Sequence, residues 1–208
     1  MFRLNRVIVI IAFVLIAMGI LPWAAVAASE SQSSIEQTFQ KAKKDYLEKN
    51  INSAAQQIQK GASYIKAEAA KASVQGKETL AASAQELEKL ADDVKKGTVT
   101  SVKRIEDAFA RAYLALAADS QIKSTESWAK KEAAKAGEAL DSATKNLEKS
   151  FAWAGQKVEK NTKEVMEKSE ELSLKLKKKG SLIAEEVGKG LKDAGNEIEK
   201  FGKRISPK

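Results

Sequence analysis

The sequence predicts an all-α protein, an antiparallel helical bundle of long helices with an extended C-terminal helical arm. Three observations carry this. The two prolines of the 208-residue chain, Pro22 and Pro207, lie near its ends, so no proline interrupts the stretch between them. That stretch is rich in Ala, Lys, Glu, Leu and Gln, the strong helix formers. Its apolar residues recur at spacings of three and four, and no run alternates as a strand would.

The chain begins with a basic pair, Arg3 and Arg6, followed by a charge-free apolar run from Val7 to Leu21. Pro22 and the small residues Ala25-Val26-Ala27 come next, in the layout of a cleavable secretory signal. Residues 1–28 are therefore expected to be a signal peptide removed after Ala27 or Ala28. The run is short against the roughly 20 apolar residues that span a bilayer. Retention as an uncleaved inner-membrane anchor is the alternative. The expected location is the periplasm. There is no Cys, so there is neither a lipidated N-terminal cysteine nor a disulfide, and stability rests on helix packing.

The first helix is expected to start at a capping box, Ser33 to Glu36, and to carry Ile35, Phe39, Ala42 and Tyr46 on one stripe. Glu48-Lys49-Asn50 reads as a tight turn. After it, Ile51, Ala55, Ile58, Ala62, Ile65, Ala69 and Ala72 form a heptad-like seam. Gly76 is expected to end that helix. The next runs from about Lys77 to Lys96, with Leu80, Ala84, Leu87, Ala91 and Val94 inward, and Gly97 closes it. Thr98 or Thr100 is placed to cap a fourth helix whose core face is Val102, Ile105, Phe109, Ala112, Tyr113 and Leu116. Asp119 to Ser124 fits either a break or a continuous helix. From Ser124 a single long helix is expected to about Lys179, rich in large apolar residues at first and thin after Val158. These patterns divide the mature chain into a bundle over 33–155 and a polar helix with a terminal amphipathic helix over 156–206.

The absence of His and Cys rules out Ser–His and Cys–His nucleophilic sites and imidazole or thiolate zinc sites. Ser63, Ser120, Ser127 and Ser142 each have a lysine three residues on, but the companion motifs of serine–lysine enzymes are missing. The acidic pairs Asp92-Asp93, Glu170-Glu171 and Glu185-Glu186 are adjacent on helices and diverge by about 100°. Gly188-Lys189-Gly190 follows no strand and matches no phosphate loop. Trp128, Phe151 and Trp153 read as core. No catalytic residue, metal or cofactor is expected, and no nucleic acid. The net charge of +8 is concentrated in residues 121–208, which makes an anionic membrane surface a possible partner.

The terminal helix is the candidate interaction face. Val187, Leu191, Ala194, Ile198, Phe201 and Ile205 fall on one narrow arc, and Gly188, Gly195 and Gly202 recur every seven residues on its flank. Glycine is unfavourable in a helix, so three at one heptad position point to close approach of another helix, in cis or in trans. A membrane-surface role is the rival, with a broader and bulkier face expected.

The segment Phe39 to Ala69, with Lys43-Lys44-Asp45-Tyr46-Leu47-Glu48-Lys49-Asn50-Ile51 and then Ala54-Ala55, resembles the opening hairpin of the YfdX-like periplasmic helical proteins. It also looks like a single tetratricopeptide-type hairpin. The first resemblance implies a periplasmic, stress-associated, non-enzymatic helical protein. The lysine–glutamate–alanine stretch resembles, in composition, desiccation-protectant and apolipoprotein-like helices. The expected function is that of an exported accessory, scaffold or chaperone-like factor acting on a protein partner or on itself. The alternative is a lipid- or polyanion-surface binder.

Overall fold

The structure, a computed structural model, describes residues 23–178 and 182–206. The chain divides into two units, Met1–Ser33 and Ser34–Lys208. Of the first, only helical backbone from residue 23 onward is described, so the apolar run of the expected signal lies outside the described residues. All packing below belongs to the second unit.

Among the described residues there are seven helices and no strand: α1 (Trp23–Leu47), α2 (Ile51–Ala70), α3 (Val74–Lys95), α4 (Val102–Ala129), α5 (Ala133–Ala154), α6 (Lys160–Lys177) and α7 (Ala184–Ile205). The all-α bundle is as expected. Short connections make successive helices antiparallel hairpins.

The fold is organised around α4. Ile105, Ala108, Phe109, Ala110, Ala112, Tyr113, Ala115, Leu116 and Ala117 are all buried. A helix apolar on most of its circumference must be covered on several sides, and α3, α5 and α7 all pack on α4. From α1, Phe39 stacks on Phe109 with ring centroids 3.9 Å apart, and Trp153 of α5 meets Phe109 edge-on at 5.1 Å. The α2 seam packs as expected, with Ala55, Ile58, Ala62, Ile65 and Ala69 buried. Trp153 and Phe151 are core residues, and Trp128 is partly buried against Ala136, Leu140 and Leu191.

The expected division at residues 155 and 156 is corrected: residues 34–208 form one compact unit, and the C-terminal helices fold back onto the bundle. Helix α6 packs on α5, and α7 packs on α4 and α6. The thin apolar content of α6 misleads because its buried stripe is Thr162, Met166, Ser169, Ser173 and Leu176. Small hydroxyl residues let it lie close to Gly137 of α5, where an added Cβ would stand 2.7 Å from the Ser173 carbonyl oxygen.

Several expected boundaries also move. Ser33 and Glu36 lie inside α1 rather than at a helix start. The break before α3 falls at Lys71–Ser73, and Gly76 sits in the first turn of α3. Ser101, not Thr98 or Thr100, caps α4, accepting from the Lys103 N–H at 3.2 Å. Helix α4 runs through Asp119–Ser124, and three polar side chains there find partners outside the helix. Asp119 binds Ser73, Gln121 donates to the Leu191 carbonyl at 2.9 Å, and Ser124 donates to the Ala136 carbonyl at 2.7 Å. The expected long helix from Ser124 is broken at Lys130–Glu132 and again at Gly155–Glu159.

Both breaks use one device. A residue in the left-handed region ends the helix, and the next N–H returns to a carbonyl five residues back. Gly155 has φ +64° with Gln156 N–H to Phe151, and Lys131 has φ +62° with Glu132 N–H to Ser127. Lys49, in the turn expected at residues 48–50, does the same at φ +66°.

Candidate binding groove between α3, α4 and α7

The expected interaction face on α7 is buried within this chain. Val187, Leu191 and Ala194 pack with Ala136 and Leu140 of α5 and Leu176 of α6, while Ile198, Phe201 and Ile205 enter the main core. Phe201 stacks on Phe151 with centroids 3.7 Å apart. The glycine stripe separates into two kinds. Gly195 faces the Gln121 side chain, and Gly202 faces Leu114, so the helix they approach is α4 of the same chain. Gly188 faces open space. The narrow apolar arc is the docking stripe of α7 on its own bundle, so the helices that approach it do so in cis.

That docking leaves a groove. Helices α3 and α7 flank α4 and leave an open cavity of about 700 Å³ between them. Its floor is a second apolar stripe on α4, Leu114, Ala118 and Ile122 at four-residue spacing, with Ala115 beside it. One wall is Thr79, Ala82, Ser83 and Glu86 of α3; the other is Gly195, Ile198, Gly202 and Ile205 of α7, with Glu199 and Lys203 at the rim. Leu114, Ala118 and Ile122 are only partly covered, whereas the opposite side of α4 is fully buried. These three residues stand outside the single core face read from the sequence. The signal that finds them is the second stripe itself, apolar residues four apart on a helix that already has a complete core face.

Arg111 closes one end. Its Nε donates to both oxygens of Glu86, at 2.9 and 3.1 Å, and its Nη1 donates to the Ile205 carbonyl at 3.2 Å. One guanidinium thus ties α3, α4 and the C-terminal end of α7, where a cation also meets the negative end of the helix dipole. Gln121 closes the other end through the Leu191 carbonyl. On the rim, Lys203 pairs with Glu199 at 2.7 Å. The four charged residues of the groove therefore form two internally neutral pairs.

Ser83 breaks an otherwise complete pattern. It is 6% exposed, and its Oγ is the one buried side-chain polar atom among the described residues with no hydrogen-bond partner. The other buried hydroxyls all have one: Ser73 with Asp119, Ser124 with Ala136, Ser150 with Ala110, and Thr162 with Glu197 are examples across helices. An unsatisfied buried hydroxyl costs about 1–3 kcal/mol, so its place in a groove wall is informative.

Away from the groove, charged side chains are mostly paired. Three of the four lysines spaced from serines are held by carboxylates: Lys66 by Glu88, Lys123 by Asp119 and Lys145 by Asp141. The exposed surface of α6 and α7 carries both lysines and glutamates. A polar cluster joins α1, α4 and α5, where Glu36 accepts from Tyr113 Oη at 2.6 Å and Trp153 Nε1 at 3.4 Å and pairs with Lys149 at 3.6 Å. Burial pushes the Glu36 carboxyl up; the hydrogen bonds from Tyr113 and Gln40 and the Lys149 charge outweigh it and hold it below its ordinary value. The same burial and the Glu36 charge raise the Tyr113 hydroxyl far above its usual range. This cluster is an ionised lock, not a proton-transferring pair near neutrality. Among the described residues no group of three or more acidic side chains is placed to hold a metal ion, and no helix is long and apolar enough to cross a membrane.

No protein-family model, curated protein or solved structure matches this chain.

Proposed function

We propose that this protein is an exported, non-enzymatic factor of the bacterial periplasm that works by non-covalent contact, in an accessory, scaffold or chaperone-like role. Its working surface is the groove between α3, α4 and α7, which takes up an apolar group offered by a partner. The single observation that carries the reading is the partly covered stripe Leu114, Ala118 and Ile122, an apolar floor between two helical walls on a chain whose other apolar stripes are used internally. The leader of residues 1–28 and the hairpin resemblance support export, and the lack of His and Cys removes the commonest nucleophilic and metal chemistries.

The test uses the absence of cysteine. A single cysteine at Ala82, on the groove wall, or at Lys60, on the exposed side of α2, carries an environment-sensitive dye. Envelope material separated into protein and lipid fractions is added to each. A blue shift at Ala82 and not at Lys60, removed by the groove-filling change Ala118→Trp, is the expected result. No response at Ala82 to either fraction, or the same response at both positions, rejects the groove as the working surface.

A further inference from the structure

Resting on the groove as the working surface, the geometry points to its occupant: one uncharged amphiphile of the neutral monoacyl-lipid class, with its chain on Leu114, Ala118 and Ile122 and its polar group at Ser83. Four observations converge. The first is size. The floor from Arg111 to Ile122 is three helical turns, roughly 16 Å long. A protein helix laid there covers on the order of 160 Å², at a width of about 10 Å. A stable protein interface needs about 800 Å² from each partner. The cavity of about 700 Å³ instead falls within the range of small-molecule sites, roughly 300–1,000 Å³.

Charge is the second. Glu86 with Arg111 and Glu199 with Lys203 are neutral pairs. Arg111 directs three of its five N–H donors at Glu86 and the Ile205 carbonyl. An anionic headgroup would compete with Glu86 for a guanidinium that also joins three helices. The complementary ligand is therefore uncharged.

The third observation is the lining: its exposed area is mostly apolar, with the charged side chains already paired, which suits an apolar chain bearing a small hydrogen-bonding end. The fourth is Ser83 itself. Its Oγ is buried without a partner while the neighbouring architecture satisfies comparable hydroxyls, Ser124 and Ser150 among them. The Oγ is closed to solvent, and a ligand hydroxyl or ester oxygen that displaces the lining around it supplies the missing partner.

The experiment titrates dye-labelled Ala82→Cys protein with monolauroylglycerol below its aggregation concentration, with native mass spectrometry for stoichiometry. Laurate and a peptide of residues 184–205 serve as the anionic and the protein-helix comparisons. The expected result is saturable one-to-one binding of monolauroylglycerol, at least tenfold tighter than laurate. Ala118→Trp should weaken it tenfold or more with helicity retained; Ala118→Leu is the milder filler if the tryptophan disturbs folding. Ser83→Ala should weaken binding about fivefold, the loss of one hydrogen bond, while raising the thermal midpoint of the unliganded protein. Laurate binding as tightly, or Ser83→Ala binding unchanged with no rise in midpoint, overturns the proposal. Binding of the peptide but not the lipid also overturns it and leaves the groove reading standing. Silence toward all three additives sinks both.

Discussion

The Asp119 carboxylate on α4 accepts the Ser73 backbone N–H at 2.8 Å and the Ser73 hydroxyl at 2.9 Å, with both residues buried. Ser73 in turn accepts from the Gly76 N–H at 2.9 Å, and Lys123 pairs with Asp119 at 2.7 Å. A side chain from the central helix thus fastens the start of α3. Hydrogen bonds to a charged group contribute about 1.5–3 kcal/mol each. Asp119→Ala should lower stability by about 3 kcal/mol, and Asp119→Asn, which keeps an acceptor, by clearly less. Gly76→Ala drives a Cβ into the Asp119 carboxylate and should be destabilising too. Because both changes strike one contact, the double variant should lose less than the sum. Denaturant unfolding of the four proteins measures this; strict additivity speaks against the contact.

Glu36 makes the fold sensitive to acid in a defined direction. Its carboxyl is held below the ordinary value of 4.5, so the folded chain prefers the ionised form more than the unfolded chain does. The resulting stabilisation is fully present above the unfolded value and is lost as pH falls through the folded value. Glu36→Gln should therefore cost about 1 kcal/mol at pH 7, a modest figure because Glu36 remains partly solvated. The difference should vanish in strong acid. Tyr113→Phe removes the 2.6 Å hydrogen bond and should reproduce much of the effect. Thermal midpoints of the three proteins from pH 7 down to pH 3 check it, and a gap that widens on acidification contradicts it.

Phe201 decides whether the C-terminal helices belong to the core. It is 1% exposed and stacks on Phe151, within the same apolar cluster as Phe39 and Phe109. Truncating a buried phenylalanine to alanine costs about 3–5 kcal/mol. Phe201→Ala should shift the unfolding transition of the whole bundle by that amount, as a single cooperative step. A second transition, with the first unmoved, would restore the separate arm read from the sequence.

The helical class, the turn at residues 48–50, the α2 seam and the buried arc of α7 were all legible, because each is a periodic or turn signal local to its segment. The missed features depend on partners distant in sequence. Continuity of α4 through Asp119–Ser124 rests on Ser73, Leu191 and Ala136, none of them nearby in the chain. The break at Lys130–Glu132 was hidden because a lysine, Lys131, occupies the left-handed position that glycine usually marks. The stripe of α6 was hidden because serine and threonine fill buried positions. The groove escaped notice because Leu114, Ala118 and Ile122 read as ordinary helix content until α7 is seen to cover them only in part.

The glycines that looked equivalent in sequence should now give different answers. At Gly188 an added Cβ meets nothing within 4 Å, so Gly188→Ala gains helix propensity alone and should stabilise by about 0.5–1 kcal/mol. At Gly202 the new Cβ would stand 3.3 Å from Leu114 Cδ2, a flexible end that can yield, and the change should be close to neutral. At Gly195 it would stand 3.0 Å from Gln121 Nε2, the group that donates to the Leu191 carbonyl, so propensity gained is offset by that hydrogen bond disturbed. Gly137, which no heptad pattern singled out, tests contact with backbone: its Cβ would meet the Ser173 carbonyl oxygen at 2.7 Å, and Leu176 Cβ at 2.9 Å. Overpacking of that kind costs about 1–3 kcal/mol, enough to overcome the helix gain, and Gly137→Ala should loosen α6 from α5. Thermal midpoints of the four alanine variants give the order directly: Gly188→Ala highest, Gly202→Ala and Gly195→Ala between, Gly137→Ala lowest. If Gly188→Ala destabilises as much as Gly137→Ala, the α7 flank at Gly188 is covered in solution and the packing described for α7 is incomplete.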